Sequence, residues 1–569
     1  LQAIYHDRTA ITRLAAGTAI AVVALVAAGP AASAPPPAHL SRAKAIAIAV
    51  SHPEIARWLE RYPRSRLVRA AEFDKRTRTW SVQVVAGAAG EVASAKIDDA
   101  TGRVSESLAG PQVAWQLARG GGVGGKTLNR GIVWIAFCVI FFVGLADPRR
   151  PFGIRNLDLL ALLSLSFSLW EFNRGHVFAA DALVYPPLAY LIVRCAWIAA
   201  RGRRDPTPSR WPVWVLVAAT VFLVSFRIGL DLHSANIIDV GYAGVIGAQR
   251  LTDGRTPYGT FPQEGTLPAC GTPDASGEIH ERIQPNGHCE RALPMGDTYG
   301  PVTYEAYVPG LELFGWTGRW DRLPAARFST IVFDLLALGG LAAVGRRFGG
   351  DPLAATFAFA WAAYPFTQYA ANSGTNDTLM PALLLLGFLA LTIPAARGAS
   401  VALAGWSKFA AFIVAPLWAT YPSLERPRRV VSYAYGFAAA TVLSVWVIFL
   451  DGRPLHAVRV FYARTVQIQF DRHSPFSLWD WAQYHAGLPD LHLVQRALQV
   501  LLVVTAIALP FVPRRKDALQ LAALTGLLLV GFEVVLTHWT YYYIPWFFPF
   551  VLFGILGADT SSERPGTQA

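Results

Sequence analysis

Asp231-Leu-His233-Ser-Ala-Asn236-Ile-Ile-Asp239-Val-Gly-Tyr242-Ala-Gly-Val-Ile-Gly-Ala-Gln-Arg250-Leu-Thr-Asp253-Gly254-Arg255-Thr-Pro257-Tyr258 follows directly on an apolar run over 211–230. It places acidic side chains where that run ends. A segment of small residues with a Tyr242, Val245 and Ile246 face at helical spacing comes next, then the turn signals Asp253-Gly254 and Pro257-Tyr258. The pattern predicts an active-site loop at the outer surface of a membrane, with the rest of the chain holding it in place.

Composition agrees with that setting. Of 569 residues, 53% are hydrophobic and only 15% are charged, with 18 Trp and 32 Phe, a balance no water-soluble domain can bury. A formal net charge of +12 would suggest nucleic acid in a soluble protein. Here the basic residues stand in short clusters beside apolar runs, so they set topology by the positive-inside rule, and no nucleic-acid partner is expected.

Working outward, residues 1–34 carry Arg8 and Arg13, an apolar stretch and Ala32-Ser33-Ala34, which predicts a signal peptide or an N-terminal anchor. Residues 35–119 form a small exported module. A helix near Ala45–Ala49 and a Trp58/Leu59 turn precede alternating runs at Trp80/Val82/Val84 and Ala95/Ile97, giving a hairpin or three-stranded sheet. The pattern resembles a PepSY-type or cystatin-like α+β module, from which binding or regulation is expected. The linker 120–130 contains Gly120 to Thr127, a literal match to phosphate-loop spacing. It leads straight into a span on the face without ATP, so it is read as a flexible tether.

Apolar runs then follow at 131–146, 156–172, 178–200 and 211–230, three of them in the 131–210 segment that precedes the core over 211–557. Arg149, Arg150 and Arg155, with Arg201, Arg203 and Arg204, should be cytoplasmic, which sends Asp231 and Asp239 outward. The outer loop spans 231–324, and Glu305 and Glu312 within it argue for an interfacial helix. Further spans are expected at 325–345, 352–371, 377–394, 430–450, 493–512, 518–537 and 541–557, with 558–569 as a cytoplasmic tail. The run 400–420 would put Arg426, Arg428 and Arg429 outside if it crossed. Gly405, Lys408 and Pro416 therefore point to a re-entrant pair of half-helices.

The outer face collects carboxylates (Asp231, Asp239, Asp297), cations (Arg250, Arg255, Arg464, Arg472), imidazoles (His233, His473, His538) and many aromatic rings. A carboxylate can take the proton from an acceptor hydroxyl, arginines fit phosphate oxygens, and rings offer apolar faces to sugars. His and Asp at these spacings give no metal signature, so neither metal nor cofactor is expected. Cys270 and Cys289 share one polar loop and are expected to pair in an oxidising compartment. Asp239 has two readings, a catalytic base or the N-cap of the helix that follows it. Asp231 is the second candidate base, and Asp297 also reads as a turn residue. Lys408, Asp334 and Glu533 lie within apolar runs, and a structural pairing is expected for the last two.

Asp239-x-x-Tyr242, Gly254-x-x-Pro257-Tyr258 and Tyr299-Gly300-Pro301-Val302-x-Tyr304 resemble the motif series of GT-C glycosyltransferases, most closely glycosyltransferase family 87, the polyprenyl-phosphate-mannose-dependent type. Asn376-Asp377, Lys408 and His538-Trp-Thr-Tyr-Tyr542-Tyr543 are similar to that group as well. The resemblance implies a polytopic α-helical membrane protein of about eleven spans plus the re-entrant element, with a small extracytoplasmic α+β domain. It implies transfer of mannose or another hexose or pentose from a polyprenyl-phosphate donor to an extracytoplasmic lipid, glycan or protein acceptor, in a plasma membrane. Asp239 matches the catalytic aspartate. The expected substrate contacts are His233, Tyr242, Arg250, Tyr258, Asp297, Tyr299, Tyr304, Asp377, Lys408, Arg464, Gln467, Arg472, His538 and Tyr542. Gly300-Pro301 stands where Pro-Pro is commoner. A transporter or flippase of a lipid-linked sugar is the alternative, and a sensor would need a cytoplasmic output domain that the sequence does not contain.

Overall fold

The computed structural model describes residues 38–558 apart from 75–77, 87–90, 111–112, 114–127, 129, 174–176, 204–205, 235–236, 264–266, 272–278, 280, 317–322, 472–473, 475 and 484–488. The signal or anchor segment 1–34, the glycines of 120–125, Arg472, His473 and the tail from Asp559 lie outside the described residues. The chain divides into two compact units, Leu1–Gly110 and Pro111–Ala569.

In the first unit, α1 (Arg42–Ser51) starts where the Ser41 hydroxyl accepts the Lys44 N–H at 3.2 Å. Pro53 opens α2 (Pro53–Leu59), so Trp58 and Leu59 are helical and not a turn. The sheet has four strands, not two or three. β1 (Leu67–Asp74), β2 (Thr79–Ala86), β3 (Glu91–Asp98) and β4 (Val104–Ala109) pair antiparallel in that order. The alternation of β2 buries Trp80, Val82 and Val84 against Ala45, Ala49 and Ile55 of the helices. β1 escaped the sequence reading because its apolar and polar residues do not alternate cleanly. Asp99, in the turn between β3 and β4, is fully buried and accepts the His39 and Leu40 N–H groups, the Trp80 indole and the Arg78 guanidinium. Burial pushes its carboxyl up, but those four donors outweigh it and hold it at about 2.

The second unit is a helical bundle. Its helices are α3 (Gly131–Leu145), α4 (Ile154–Asn173), α5 (Val177–Arg201), α6 (Val213–Ser234), α7 (Asp239–Thr252), α8 (Pro301–Phe314), α9 (Pro324–Ala363), α10 (Pro365–Asn372), α11 (Leu379–Leu389), α12 (Pro394–Ser407), α13 (Ala415–Ala419), α14 (Pro427–Val445), α15 (Pro454–Tyr462), α16 (Ile468–Asp471), α17 (His492–Ala508), α18 (Ala518–Val535) and α19 (Ile544–Leu556). Among the described residues, five helical stretches are long and apolar enough to cross a membrane: Ala179–Arg201, Val213–His233, Pro324–Ala363, Pro427–Phe449 and Ala518–Val535. α9 joins two of the expected runs, with a break at Gly349-Gly350 where Gly350 takes φ +67°.

Side-chain ties sort the helix termini into two ends of the bundle. At one, Arg155 reaches the Thr207 carbonyl, Arg203 the Ile555 carbonyl, Arg347 the Leu389 carbonyl and Gln520 the Ala199 carbonyl. At the other, Ser168 meets Tyr541, Asn372 meets Asp231 and the Ile238 N–H meets the Ser373 carbonyl. The arginine clusters thus gather at one end, and the carboxylates that drew attention in the sequence gather at the other.

The segment 394–421 doubles back. Arg397, at its start, donates to the Trp418 carbonyl at 2.9 Å and the Tyr421 carbonyl at 3.0 Å, at its end. Between them α12 stops at Lys408, whose φ −138° and ψ 116° are extended, and a 3₁₀ stretch (Phe409–Val414) and α13 return. The segment starts and ends at the arginine end, and Lys408 is its apex.

Candidate functional site

The site is built on the start of α7. Ile238, not Asp239, is the N-cap, and it makes no side-chain cap bond, so Asp239 is the first helical residue. The capping role is thus not the one Asp239 plays; it stands half-buried in the first turn, within electrostatic reach of Tyr542. α7 lies backbone to backbone on the 372–378 loop, since a Cβ on Gly241 would come within 2.5 Å of the Gly374 carbonyl oxygen. Asp231, at the end of α6, is only 2% exposed and accepts the Asn372 amide at 3.2 Å.

Two residues beyond Gly374-Thr375 in the same loop lies the centre of the site. The Lys408 ammonium meets Asp377 at 3.0 Å, with both side chains buried. The Trp546 indole N–H donates to the same Asp377 oxygen at 3.1 Å. Lys408 also lies 4.6 Å from the Tyr299 ring centroid and 5.7 Å from that of Trp546. Tyr543 is a third ring at 6.0 Å, and among the described residues Asp377 is the cation's one carboxylate partner. The apex position explains why: Thr303 fixes the Ser407 carbonyl at 2.8 Å, and Gly300 lies so close to the Trp406 carbonyl that a Cβ would reach 1.9 Å from it.

A second tier supports Tyr299. The Tyr258 hydroxyl donates to its carbonyl at 2.9 Å, and the Tyr304 hydroxyl accepts its N–H and donates to the Gly296 carbonyl. Asp297 is fully buried, accepts the Gly259 N–H at 2.8 Å and binds Arg464, whose Nε lies 2.8 Å from its carboxylate. Asp297 therefore anchors the loop and positions Arg464, which keeps part of its surface open in the π-helical turn Ala463–Gln467. Cys270 and Cys289 form the expected disulfide, with Cα atoms 5.9 Å apart, and it leads into the short hairpin of β5 (Glu281–Ile283) and β6 (Cys289–Arg291).

Several expected contacts have other positions. Arg250 is 1% exposed and holds Glu290 at 2.7 Å, so its guanidinium faces a carboxylate and not a phosphate. Tyr242 is fully buried with its hydroxyl on the Arg291 backbone, and burial pushes its phenol up. Tyr258 and Tyr304 are buried too and act through Tyr299. His233 and Gln467 are exposed, and His538 packs edge-on against Phe476. Tyr542 stacks on Tyr369 at 4.9 Å and lies within electrostatic reach of Asp239. Asp334 has the expected partner, a two-oxygen grip by Arg227, whereas Glu533 takes, among the described residues, only the Trp539 indole N–H. Sequence reading did not single out Asn372 or Trp546, because neither the amide at a turn nor the indole in a Pro-Trp-Phe run differs from ordinary helix-end residues. Compared with protein-family models, curated proteins and solved structures, the chain matches none.

Proposed function

We propose that the chain is a GT-C-like membrane glycosyltransferase that moves a sugar from a polyprenyl-phosphate donor to an extracytoplasmic lipid, glycan or protein acceptor. The observation that carries the reading is the Asp377–Lys408 pair at the apex of the doubled-back segment, in the same loop system as Asp231 and Asp239. In this reading the bundle crosses about eleven times, the arginine end is cytoplasmic, and the carboxylate end faces outward in a plasma membrane. The N-terminal module is exported and binds a partner or regulates.

Asp239 is the base, because it is partly accessible whereas Asp231 is buried against Asn372. It takes the acceptor hydroxyl proton as that oxygen bonds to the anomeric carbon. The bond from that carbon to the phosphate oxygen breaks, and the electron pair leaves with the polyprenyl phosphate. Lys408 and Arg464 stabilise the leaving phosphate, while Tyr299 and Trp546 offer apolar faces to the sugar. The donor is a substrate, and no cofactor enters. Transport of a lipid-linked sugar is the second reading, favoured by the broken helix at Lys408.

The test is transfer of labelled mannose, and separately arabinose, from polyprenyl phosphate in membranes containing the chain, Asp239→Asn or Asp231→Asn. Loss of at least about a hundredfold in Asp239→Asn at unchanged protein level is expected, as for removal of a general base. Absence of transfer from every donor, with movement of lipid-linked sugar across the bilayer, would establish transport instead.

A further inference from the structure

α15 has three sides, each in different surroundings. The 100° step of a helix sets Ala457 and Phe461 on one side, with Arg464 in the π-helical turn that follows. This side meets protein: Ala457 is buried, the Phe461 ring lies edge-on to Tyr258 with centroids 4.8 Å apart, and Arg464 holds Asp297. Leu455, Val458 and Tyr462 form the second side and are 81%, 50% and 54% exposed. His456 and Arg459, both exposed, form the third, and Arg453 stands exposed at the N-cap. Among the described residues neither arginine takes part in an ion pair. A stripe of large apolar side chains flanked by unpaired cations fits a partner that is apolar in one layer and anionic in the next.

The place of α15 in the chain says what that partner is. The stretch Pro427–Phe449 is long and apolar enough to cross a membrane, and Val442, Leu443 and Trp446 on it are 65%, 72% and 55% exposed, as lipid-facing residues are. The Gly452 N–H donates to the Phe449 carbonyl at 3.0 Å with Gly452 at φ +73°, so the chain turns there, and α15 begins two residues later. α15 therefore starts at the depth where hydrocarbon gives way to headgroups. Its nine residues are too few to cross, since a helix needs about twenty. A short helix with an apolar stripe, a basic flank and a tyrosine near its end is suited to the plane of the interface, its stripe among acyl chains and its cations at the phosphates. A second copy of the chain, itself of net charge +12, would answer the stripe but not the cations.

We propose that α15 docks on the membrane surface at the carboxylate end of the bundle and gathers anionic phospholipids there, with Leu455, Val458 and Tyr462 inserted and Arg453, His456 and Arg459 against phosphate groups. Arg464, further along the same helical path, is thereby held at the depth of lipid-borne phosphate. The proposal does not rest on the transferase reading, and sugar transfer is not its readout. The full chain with Cys138→Ala and Cys195→Ala carries an environment-sensitive fluorophore on Leu455→Cys or Val458→Cys and is placed in phosphatidylcholine nanodiscs. A nitroxide near the headgroup end of an acyl chain is introduced on an equal small fraction of either phosphatidylcholine or phosphatidylglycerol. Both nitroxide lipids should quench the fluorophore and aqueous acrylamide should not. The phosphatidylglycerol form should be about fivefold more effective, the enrichment that one arginine near an anionic headgroup gives. Arg453→Gln combined with Arg459→Gln should bring the two lipids to equal effect while leaving the quenching itself. Should either cysteine substitution prevent folding, a fluorophore on Tyr462→Cys reads the same stripe. Quenching by acrylamide without quenching by lipid puts the helix in water, and protection from every quencher puts it against protein; either result overturns the docking. Equal effect of the two lipids on the chain with both arginines overturns the gathering of anionic lipid.

Discussion

Glu305 illustrates how a single side chain departs from what its neighbours in sequence suggest. The sequence predicts an interfacial helix around it, and among the described residues α8 is not one of the helices long and apolar enough to cross a membrane. Its Oε1 is nevertheless buried without a hydrogen-bond partner, and burial raises the carboxyl to about 7. Because this value lies above the unfolded one, near 4.5, the folded state holds the extra proton. The resulting stability is fully present below about pH 4 and is lost as pH rises through about 7. Glu305→Gln should therefore flatten the pH dependence of Tm between pH 5 and 8. At pH 8 it should stabilise by about 1–2 kcal/mol, after allowing for the partial exposure of the group. An unchanged slope would show that Glu305 ionises freely. At the same scale, the motif tyrosines were legible as tyrosines that matter, but not as ones acting through backbone atoms. Tyr258 and Tyr304 reach the Tyr299 peptide from two sides, a relation that no spacing announces.

Among the elements, the doubled-back segment 394–421 carries the most information. The sequence leads to the expectation of a re-entrant element from an arginine count, since a full crossing would place Arg426, Arg428 and Arg429 on the wrong side, and the segment does double back. What holds it down is close packing of α12 on α14: a Cβ on Gly398 would lie 2.1 Å from the Tyr433 carbonyl oxygen, and one on Gly436 2.0 Å from that of Ala395. Small residues let two helices meet at backbone distance where no hydrophobic force acts between them. Gly398→Val and Gly436→Val should each lower stability by about 2–4 kcal/mol, read as Tm of the purified chain, because rigid backbone cannot yield to the added methyls. Both should also disturb Lys408. A variant as stable as the parent would mean that α12 and α14 can separate freely. Elsewhere the run at 131–146 is α3 and that at 211–230 overlaps α6, whereas the run expected at 377–394 yields only the 11 residues of α11. The miss was β1, where an edge strand with mixed faces lacks the period-two signal.

Over the whole bundle, the sorting of helix ends into an arginine end and a carboxylate end is the property on which orientation depends. Arg255 is exposed beside the start of the outer loop, and Glu425 is exposed at the other end, where it pairs with Arg515 at 3.0 Å. Arg255→Cys should react with a membrane-impermeant maleimide on intact cells, and Glu425→Cys only after permeabilisation. Labelling of both from one side would overturn the outward placement of the site. The amino-acid sequence by itself determined the apolar runs and the basic clusters beside them, because apolar length and charge asymmetry are properties of short local windows. It also singled out Asp239, Asp377, Lys408 and Arg464 as residue types in suggestive settings. Only the tertiary structure decided which groups answer each other: Arg250 with Glu290, Arg464 with Asp297, Lys408 with Asp377, Asp181 with the Trp481 indole and Glu533 with the Trp539 indole. Ion pairing depends on which faces meet across tens to more than a hundred residues of chain, and the strength of a charge inside the bundle depends on that neighbour far more than on the residues flanking it in sequence.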